Sequence, residues 1–285
     1  MKENREVVSI MKNLTSVVSY PDRGPWGDYR FRGNTSGHLI KDLIEHYQPK
    51  SVLDPCAGSG TTGNVCREHG IDCDEFDLSN GFNILSSPLP PKKYDMIFFH
   101  PPYWDIIKYS DNPHDFSNTK LFDDYMQKLF AAIKILAEYL SENGVLIILI
   151  GDVRKHGRYY PLGAYIQVFH RKEIRDKIIK VQHNVKSSTI NYPCNIIRIM
   201  HEEVIILTGF PSLTWHELVL RTLKELGGIS TLPQLYNALS RHPKTLNNST
   251  FKATIRRTLQ ETAVHKERGA WSHPRIFQQK TLTET

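Results

Sequence analysis

Two short stretches of this 285-residue chain gather residue types that can do chemistry. The first is DPCAGSGTTG, running from Asp54 through Pro55, Cys56, Ala57, Gly58, Ser59, Gly60, Thr61 and Thr62 to Gly63. Gly58 and Gly60 permit positive φ and let the backbone press against a ligand. The amides that open a following helix can then face a polar or anionic group. The run does not match GxxxxGK[ST], so it is no P-loop. By itself it reads as a tight turn or as a nucleotide-like site. The second stretch is His100–Pro101–Pro102–Tyr103–Trp104. Two prolines in a row make a stiff turn poor in N–H groups and leave the first proline's carbonyl free to accept. A neutral imidazole at His100 can accept one amine hydrogen or, with an ordinary pKa of about 6.5, take a departing proton.

The elements that must position these stretches follow from periodicity. Short β-branched runs alternate with helical patterns from about residue 38 to 210. Ser51–Leu53 is a strand feeding into the glycine run, and Gly60–His69 is the helix that follows. Asp74–Leu78 is a second strand. Tyr94–His100 is a third, apolar enough to be buried on both faces. Asp123–Ser141 carries Tyr125, Met126, Leu129, Ile133, Leu136 and Leu140 at helical spacing, with Asn143–Gly144 as its stop. GVLIILIGDV is the next strand, and Val181–Val185 with Glu203–Thr208 would close the sheet as an antiparallel hairpin. This alternation predicts an α/β fold, a doubly wound and mostly parallel sheet with helices on both faces. In such sheets ligands lie at the carboxyl ends of the strands, which puts both motifs in one crevice.

DPCAGSGTT resembles, nearly letter for letter, the DPFxGSGTT cofactor motif of the DNA amino-methyltransferases. HPPYW is similar to the (D/N/S)PP(Y/F/W) motif of the same enzymes. The resemblance covers about Tyr29–Phe210 and is weakest between Gly157 and His201. It implies a Rossmann-like class I methyltransferase that binds S-adenosylmethionine through residues 54–62. In this family an acidic residue after the second strand holds the ribose, and Asp77 in EFDLS is the match. Asn34 and Thr35, in RFRGNTSGHLIKDLI, match the segment near the cofactor's carboxylate. At the second motif a polar side chain (here His100) and the Pro101 carbonyl would accept from the target amine. Pro102, Tyr103 and Trp104 complete it, with an aromatic ring stacking on a base rotated out of the helix. His100 departs from the usual Asp, Asn or Ser, which leaves adenine N6 and cytosine N4 both open. Adenine N6 is the leading reading. RNA or protein-glutamine methyltransferases, which share NPPY-like motifs, and a non-catalytic DNA-binding regulator are the other readings.

Residues 211–285 carry eleven Lys/Arg against five Asp/Glu, the whole of the net charge of +6, so residues 1–210 are formally neutral. Trp215–Leu226 reads as an amphipathic helix stopped by Gly227–Gly228, and Leu232–Leu239 as a second. A third, capped by Asn248 or Ser249, has Phe251, Ile255 and Leu259 inward, and VHKERGAW fits two short strands. Three helices and a hairpin outline a small C-terminal winged-helix domain. Lys252, Arg256 and Arg257 on the third helix, with Lys266 and Arg268 on the wing, are the candidate contacts to double-stranded DNA. The expected division is an N-terminal segment 1–28, a methyltransferase domain 29–210 and the winged helix 211–285. The loops Asp105–Lys120 and Lys172–Ser188 are further candidates for reading DNA. No apolar run approaches the roughly 18–20 residues of a membrane span, and no HxxxH, HExxH or CxxC spacing suggests a metal. The four cysteines are expected to be reduced. A charged N-terminus without an apolar stretch predicts a cytoplasmic location. A homodimer or a cognate restriction endonuclease stays open as partner.

Overall fold

The computed structural model describes residues 14–183, 195–246, 248–266 and 269–274. The chain divides into two compact units: one takes the described residues up to 87 with 94–210, the other takes 88–93 and those from 211 onward.

In chain order the larger unit runs β1 (Val17–Ser19), α1 (Gly37–Tyr47), β2 (Ser51–Asp54), α2 (Thr61–Glu68), β3 (Asp72–Glu75), β4 (Tyr94–Phe99), α3 (Phe122–Ala137), β5 (Leu140–Ile150), β6 (Val153–Lys155), β7 (Arg158–Tyr160), α4 (Leu162–Phe169), β8 (Ile174–Val181) and β9 (His201–Leu207). Seven strands form one sheet in the order β1-β8-β9-β5-β4-β2-β3. Six run the same way, and β9 is antiparallel to both neighbours. The α/β class and the mostly parallel sheet are as the alternation predicts. β6 and β7 make a separate hairpin.

The strands are continuous apolar runs because both sheet faces are covered. Met96, Phe98, Val145, Ile147 and Leu149 pack with Leu39, Ile40 and Leu43 of α1 and Val65 of α2. The alternate residues Ile97, Phe99, Leu146 and Ile148 point the other way by the pleat and are equally inaccessible. On that side α3 buries Tyr125, Leu129, Ile133 and Leu136, the spacing read as its inward face.

Strand order matters most at β2. The chain leaves β2 for β3 on one side and returns to β4 on the other, so the carboxyl ends of β2 and β4 flank a point where the winding reverses. Val52 and Leu53 pair in register with Met96 and Ile97, which brings the residues after Asp54 and after Phe99 to the same edge. Open α/β sheets bind ligands at such a reversal.

Several boundaries differ from the sequence expectation. β3 ends at Glu75, and Asp77 caps a 3₁₀ turn at Leu78–Asn80 through a bond from the Ser79 N–H. Helix α3 stops at Ala137, and Asn143–Gly144 lie inside β5 where its register against β4 shifts between Leu140 and Val145. A Cβ on Gly144 would stand 2.8 Å from the Tyr94 carbonyl oxygen, so glycine serves close strand approach there. The antiparallel hairpin forms, but its first strand is Ile174–Val181, and Val185 lies outside the described residues. Residues 14–28, expected only as a leading segment, supply edge strand β1 and the buried Trp26, whose indole N–H donates to Glu68.

The smaller unit runs α5 (Trp215–Glu225), β10 (Ile229–Thr231), α6 (Leu232–Leu239), α7 (Pro243–Leu246), α8 (Phe251–Thr262), β11 (Val264–His265) and β12 (Ala270–Ser272). Its core joins Leu218, Val219, Leu223, Leu235, Leu239, Ile255, Leu259 and Trp271. Thr214 with Glu217 and Thr231 with Gln234 form capping boxes at α5 and α6. Besides the short α7, two features escaped the sequence reading. β10 adds a third strand in the order β10-β12-β11, and the cap of α8 is Thr250, whose N–H donates to the Asn248 side chain. Cys56, Cys66 and Cys73 are unpaired, and Cys194 lies outside the described residues. Among those residues no helix is long and apolar enough to cross a membrane, and no cluster of metal-ligand types occurs.

Candidate functional site

The turn after β2 is held by bonds from its own amides: Ala57 donates to the Phe76 carbonyl and Gly60 to the Ala57 carbonyl. Asp54 is buried, and its carboxylate accepts from the Cys56 N–H at 3.0 Å. Gly58 and Gly60 sit at φ +50° and +77°, conformations that favour glycine, and Gly60 is the residue from which α2 starts. A Cβ on Gly63 would collide with Glu75, so this glycine lets α2 lie directly against β3. Asp77 accepts from the Gly58 N–H at 3.0 Å and from the Ser79 N–H and hydroxyl, which fastens the glycine turn to the end of β3. From the other side the Thr61 hydroxyl donates to Asn34 Oδ1 at 2.5 Å, tying the segment before α1 to the same turn. Burial pushes the Asp54 carboxyl up to about 7 against the opposing bonds from Thr62 and Cys56, with Glu75 and Asp77 adding to the rise.

These residues enclose a cavity of about 190 Å³. Its walls include Asn34, Thr35, all of residues 54–62 except Gly60, and Asp77. Phe82, Ile84, Phe98, His100, Pro102, Tyr109 and Phe116 supply apolar and aromatic surface. The Thr35 hydroxyl oxygen is buried without a partner among the described residues. The expected cofactor residues are thus gathered in one place, with Gly60 shaping the turn from behind.

The turn after β4 splits the second motif. The Pro102 carbonyl accepts from the Tyr125 hydroxyl at 2.8 Å and from the Trp104 N–H. No described residue donates to the Pro101 carbonyl. Trp104 takes φ +51° and turns away from the cavities. It is buried beside Phe122 and Tyr160, its indole N–H donates to the Thr119 carbonyl, and Lys155 stands over its ring. Trp104 lines neither cavity, and neither does the buried Pro101 beside it; the left-handed residue reverses the chain and sends the indole into the core.

His100 and Tyr103 point the opposite way and meet a buried ion pair. His100 Nε2 lies 2.9 Å from the Tyr103 hydroxyl, which donates to Glu202 Oε1 at 2.8 Å, and Lys180 Nζ donates to Glu202 Oε2 at 2.6 Å. Lys180 and Glu202 are 8% exposed each and stand directly opposite in the β8–β9 ladder. Burial and the nearby Lys180 lower the His100 pKa to about 4 despite the Glu202 charge. Burial works to raise Glu202, but Lys180, His100 and the hydrogen bonds prevail and hold it below the usual carboxylate range. Burial and Glu202 push the Tyr103 phenol well up, so it keeps its proton. The Tyr103 ring lies on Gly151, where any Cβ would meet it at 2.6 Å.

A second cavity of about 550 Å³ opens on this side. It shares Gly33, Asn34, His100 and Tyr109 with the first, so the two meet at the end of β4. Its walls carry Arg23, Arg32, Arg154 and Arg198 beside Tyr20, Tyr103 and Ile106. Tyr109 is 39% exposed and stacks on Phe31 with centroids 6.1 Å apart. Sequence reasoning singled out none of Lys180, Glu202 and Tyr109, although Tyr109 and Lys180 fall within the segments Asp105–Lys120 and Lys172–Ser188 expected to read DNA; nothing in the sequence marked Glu202.

In the smaller unit Lys252, Arg256 and Arg257 are exposed on α8. Lys252 lies over the Tyr236 ring, Arg256 donates to the Tyr236 hydroxyl at 3.4 Å, and Arg257 pairs with Glu261 at 3.7 Å. Lys266 follows β11, where its N–H donates to the Ala270 carbonyl. Arg268 lies outside the described residues.

No protein-family model matches the chain. Similar solved structures include TehB of Haemophilus influenzae, 14% identical over 61% of this chain and 62% of that one, with a TM-score of 0.39. An S-adenosylmethionine-dependent methyltransferase of Clostridium acetobutylicum is 12% identical over 61% of this chain and 91% of its own, at 0.36. A candidate DNA modification methylase of Thermus thermophilus, complexed with S-adenosyl-L-methionine, is 23% identical over 48% and 57%, at 0.31. The chain therefore spans less than two thirds of the length of the Haemophilus and Thermus proteins.

Proposed function

We propose that this protein transfers a methyl group from S-adenosylmethionine to an exocyclic amine of a DNA base, the N6 of adenine. The observation that carries the reading is the placement of His100 where the two cavities meet. One cavity is walled by the glycine turn and the other by aromatic and basic side chains, so donor and acceptor can approach from opposite sides of one residue.

The residues of the first cavity suit the cofactor. The glycine turn lets the backbone come close to a ligand, Asp54 and Asp77 stand in the wall, and the buried Thr35 hydroxyl has no partner among the described residues, a place a bound ligand would fill. S-adenosylmethionine supplies an electrophilic methyl group there. The protein's task is to position the nucleophile. An exocyclic amine carries two N–H groups, and two acceptors stand after β4: the His100 imidazole and the Pro101 carbonyl. Accepting both hydrogens holds the nitrogen sp³-like and aims its lone pair, which is catalysis by orientation. With a pKa of about 4, His100 stays neutral and able to accept at neutral pH. Tyr109, exposed at the junction beside Phe31, offers a face for the extruded base.

Two features favour DNA. Four arginines line the second cavity, suited to phosphate contacts. The smaller unit has helix α8 with Lys252, Arg256 and Arg257 outward, followed by the β11–β12 hairpin carrying Lys266, and Arg268 follows in sequence. Read as a winged helix, it would lay α8 in the major groove and the wing along phosphate.

The test is to incubate the full chain with DNA and methyl-labelled S-adenosylmethionine, digest to nucleosides and identify the product by mass spectrometry. N6-methyladenine is expected. N4-methylcytosine, or label only in added RNA, overturns the assignment of the base or the substrate. Arg256→Ala with Arg257→Ala is expected to weaken DNA binding and flatten its salt dependence by about 0.9 in log–log slope per lost phosphate contact. Unchanged salt dependence argues for a protein-binding role of α8.

A further inference from the structure

Building on that reading of His100, we infer that Glu202, held in place by Lys180, is a positioning residue that sets the tautomer of His100, keeping the ring proton on Nε2 and Nδ1 bare as the acceptor for the target amine.

The inference follows from counting protons along the chain Lys180–Glu202–Tyr103–His100. A tyrosine hydroxyl has one proton. It stands between Glu202 Oε1 at 2.8 Å and His100 Nε2 at 2.9 Å. Lys180, 2.6 Å from the other carboxylate oxygen, keeps Glu202 ionised, so that side has only lone pairs to offer. The Tyr103 proton therefore goes to Glu202, the stronger and charge-assisted acceptor. The Tyr103 oxygen can then only accept from His100, which requires the N–H on Nε2. A neutral imidazole carries one N–H, so Nδ1 has none. No described residue bonds to Nδ1, and His100 lines both cavities.

The architecture supports a dedicated role. β8 and β9 present Lys180 and Glu202 directly opposite one another, and both are buried, unlike the charged Arg175, Asp176 and Lys177 earlier in β8. A well-packed hydrophobic pair would avoid the desolvation cost of burying two charges. A charge pair that fixes a proton gives this position a use that packing does not.

The test reads the tautomer directly, without substrate. In the full chain labelled with ¹⁵N-histidine, two-bond ¹H–¹⁵N spectra at neutral pH are expected to show His100 protonated at Nε2, its signals identified by their absence in His100→Ala. In Glu202→Gln, Lys180 draws the new amide's carbonyl oxygen. The amide NH₂ then faces Tyr103, whose proton turns to His100 Nε2, and the ring proton moves to Nδ1. With a donor now facing the amine, kcat is expected to fall about tenfold to a hundredfold, the cost of one hydrogen bond left unmade, while S-adenosylmethionine affinity stays constant. Adding Lys180→Met frees the carbonyl to turn back toward Tyr103, which should restore the Nε2–H tautomer and most of kcat. Tyr103→Phe, which removes the intermediary, should give a mixture of tautomers. A wild-type protein protonated at Nδ1, or a tautomer unmoved in Glu202→Gln, overturns the inference. Absence of DNA methylation by the wild type would instead overturn the proposed activity and leave the tautomer result intact.

Discussion

The turns that end β2 and β4 stand side by side and are built from opposite materials. After β2, Gly58 and Gly60 take positive φ, and the amides of Cys56, Ala57, Gly58 and Gly60 donate to Asp54, the Phe76 carbonyl, Asp77 and the Ala57 carbonyl, which pins the bare backbone at the cavity wall. After β4, two prolines remove N–H groups, and what remains are acceptors: the Pro101 carbonyl and the His100 ring. One turn lets a ligand come close to bare backbone and the other offers acceptors to amine hydrogens, since glycine removes the side chain and proline the N–H. The turns also differ in how they are held. The glycine turn is fastened by neighbours within 30 residues, at Asn34 and Asp77. The proline turn is held by Tyr125 and Thr119 as well, but its Tyr103 side chain reaches Glu202, 99 residues away.

The most severe loss is expected on the donor side. Gly58→Val places a β-branched residue at φ +50°, with its Cβ 2.8 Å from the Phe31 ring. S-adenosylmethionine binding by calorimetry is expected to vanish while circular dichroism stays native, and retained affinity would remove the donor role of this turn. Next, Trp104→Ala separates the two halves of the second motif. Truncating a buried aromatic costs about 3–5 kcal/mol, so unfolding in urea should move to lower concentration, yet kcat below the transition should remain within a small factor. A selective loss of kcat would return Trp104 to the chemical site.

A more moderate change probes the acceptor side. Tyr109→Ala should raise KM for DNA in line with the loss of one base stack, about 1–3 kcal/mol, whereas Tyr109→Phe should be mild. The reverse pattern, with DNA affinity lost only on Tyr103→Ala, would move the base to the Gly151 side. The mildest change is Asp54→Asn. The folded-state pKa of Asp54 is raised to about 7, so this group's contribution to stability is fully present below its unfolded value and is lost as pH rises from about 4 through 7. The unliganded Asp54→Asn variant should therefore melt a few degrees higher than wild type at pH 8, with the difference closing by about pH 4. Cofactor affinity should fall. His100 runs in the opposite sense, since its depressed pKa of about 4 keeps it neutral. At saturating S-adenosylmethionine, where protonation of Asp54 no longer limits cofactor binding, kcat should stay level as pH falls through 6.5, where an ordinary histidine would protonate.

Much of the larger unit was legible because its signals are local. Apolar runs such as YDMIFF and VLIILI name their own strands, and the turn conformations are dictated by the glycines and prolines themselves. The misreadings were also local: Asn143–Gly144 looks like a helix stop, but tertiary pairing with β4 overrides that preference and makes it a strand irregularity. In the smaller unit Ile229–Thr231 is too short to announce itself, and only its pairing with β12 makes it a strand.

Residue type and spacing were enough for the class of fold and for the two motifs, because backbone conformation there is set within a few residues. Which side chains face the site depended on the folded chain. Folding sent Trp104 into the core and brought Tyr109 to the junction. It also gathered Arg23, Arg32, Arg154 and Arg198 around one cavity of a formally neutral body, a concentration of charge that a sum over the chain cannot reveal. Lys180 and Glu202 reach His100 because an antiparallel register sets them opposite one another, and register depends on how strands pair in space rather than on any neighbour in the chain.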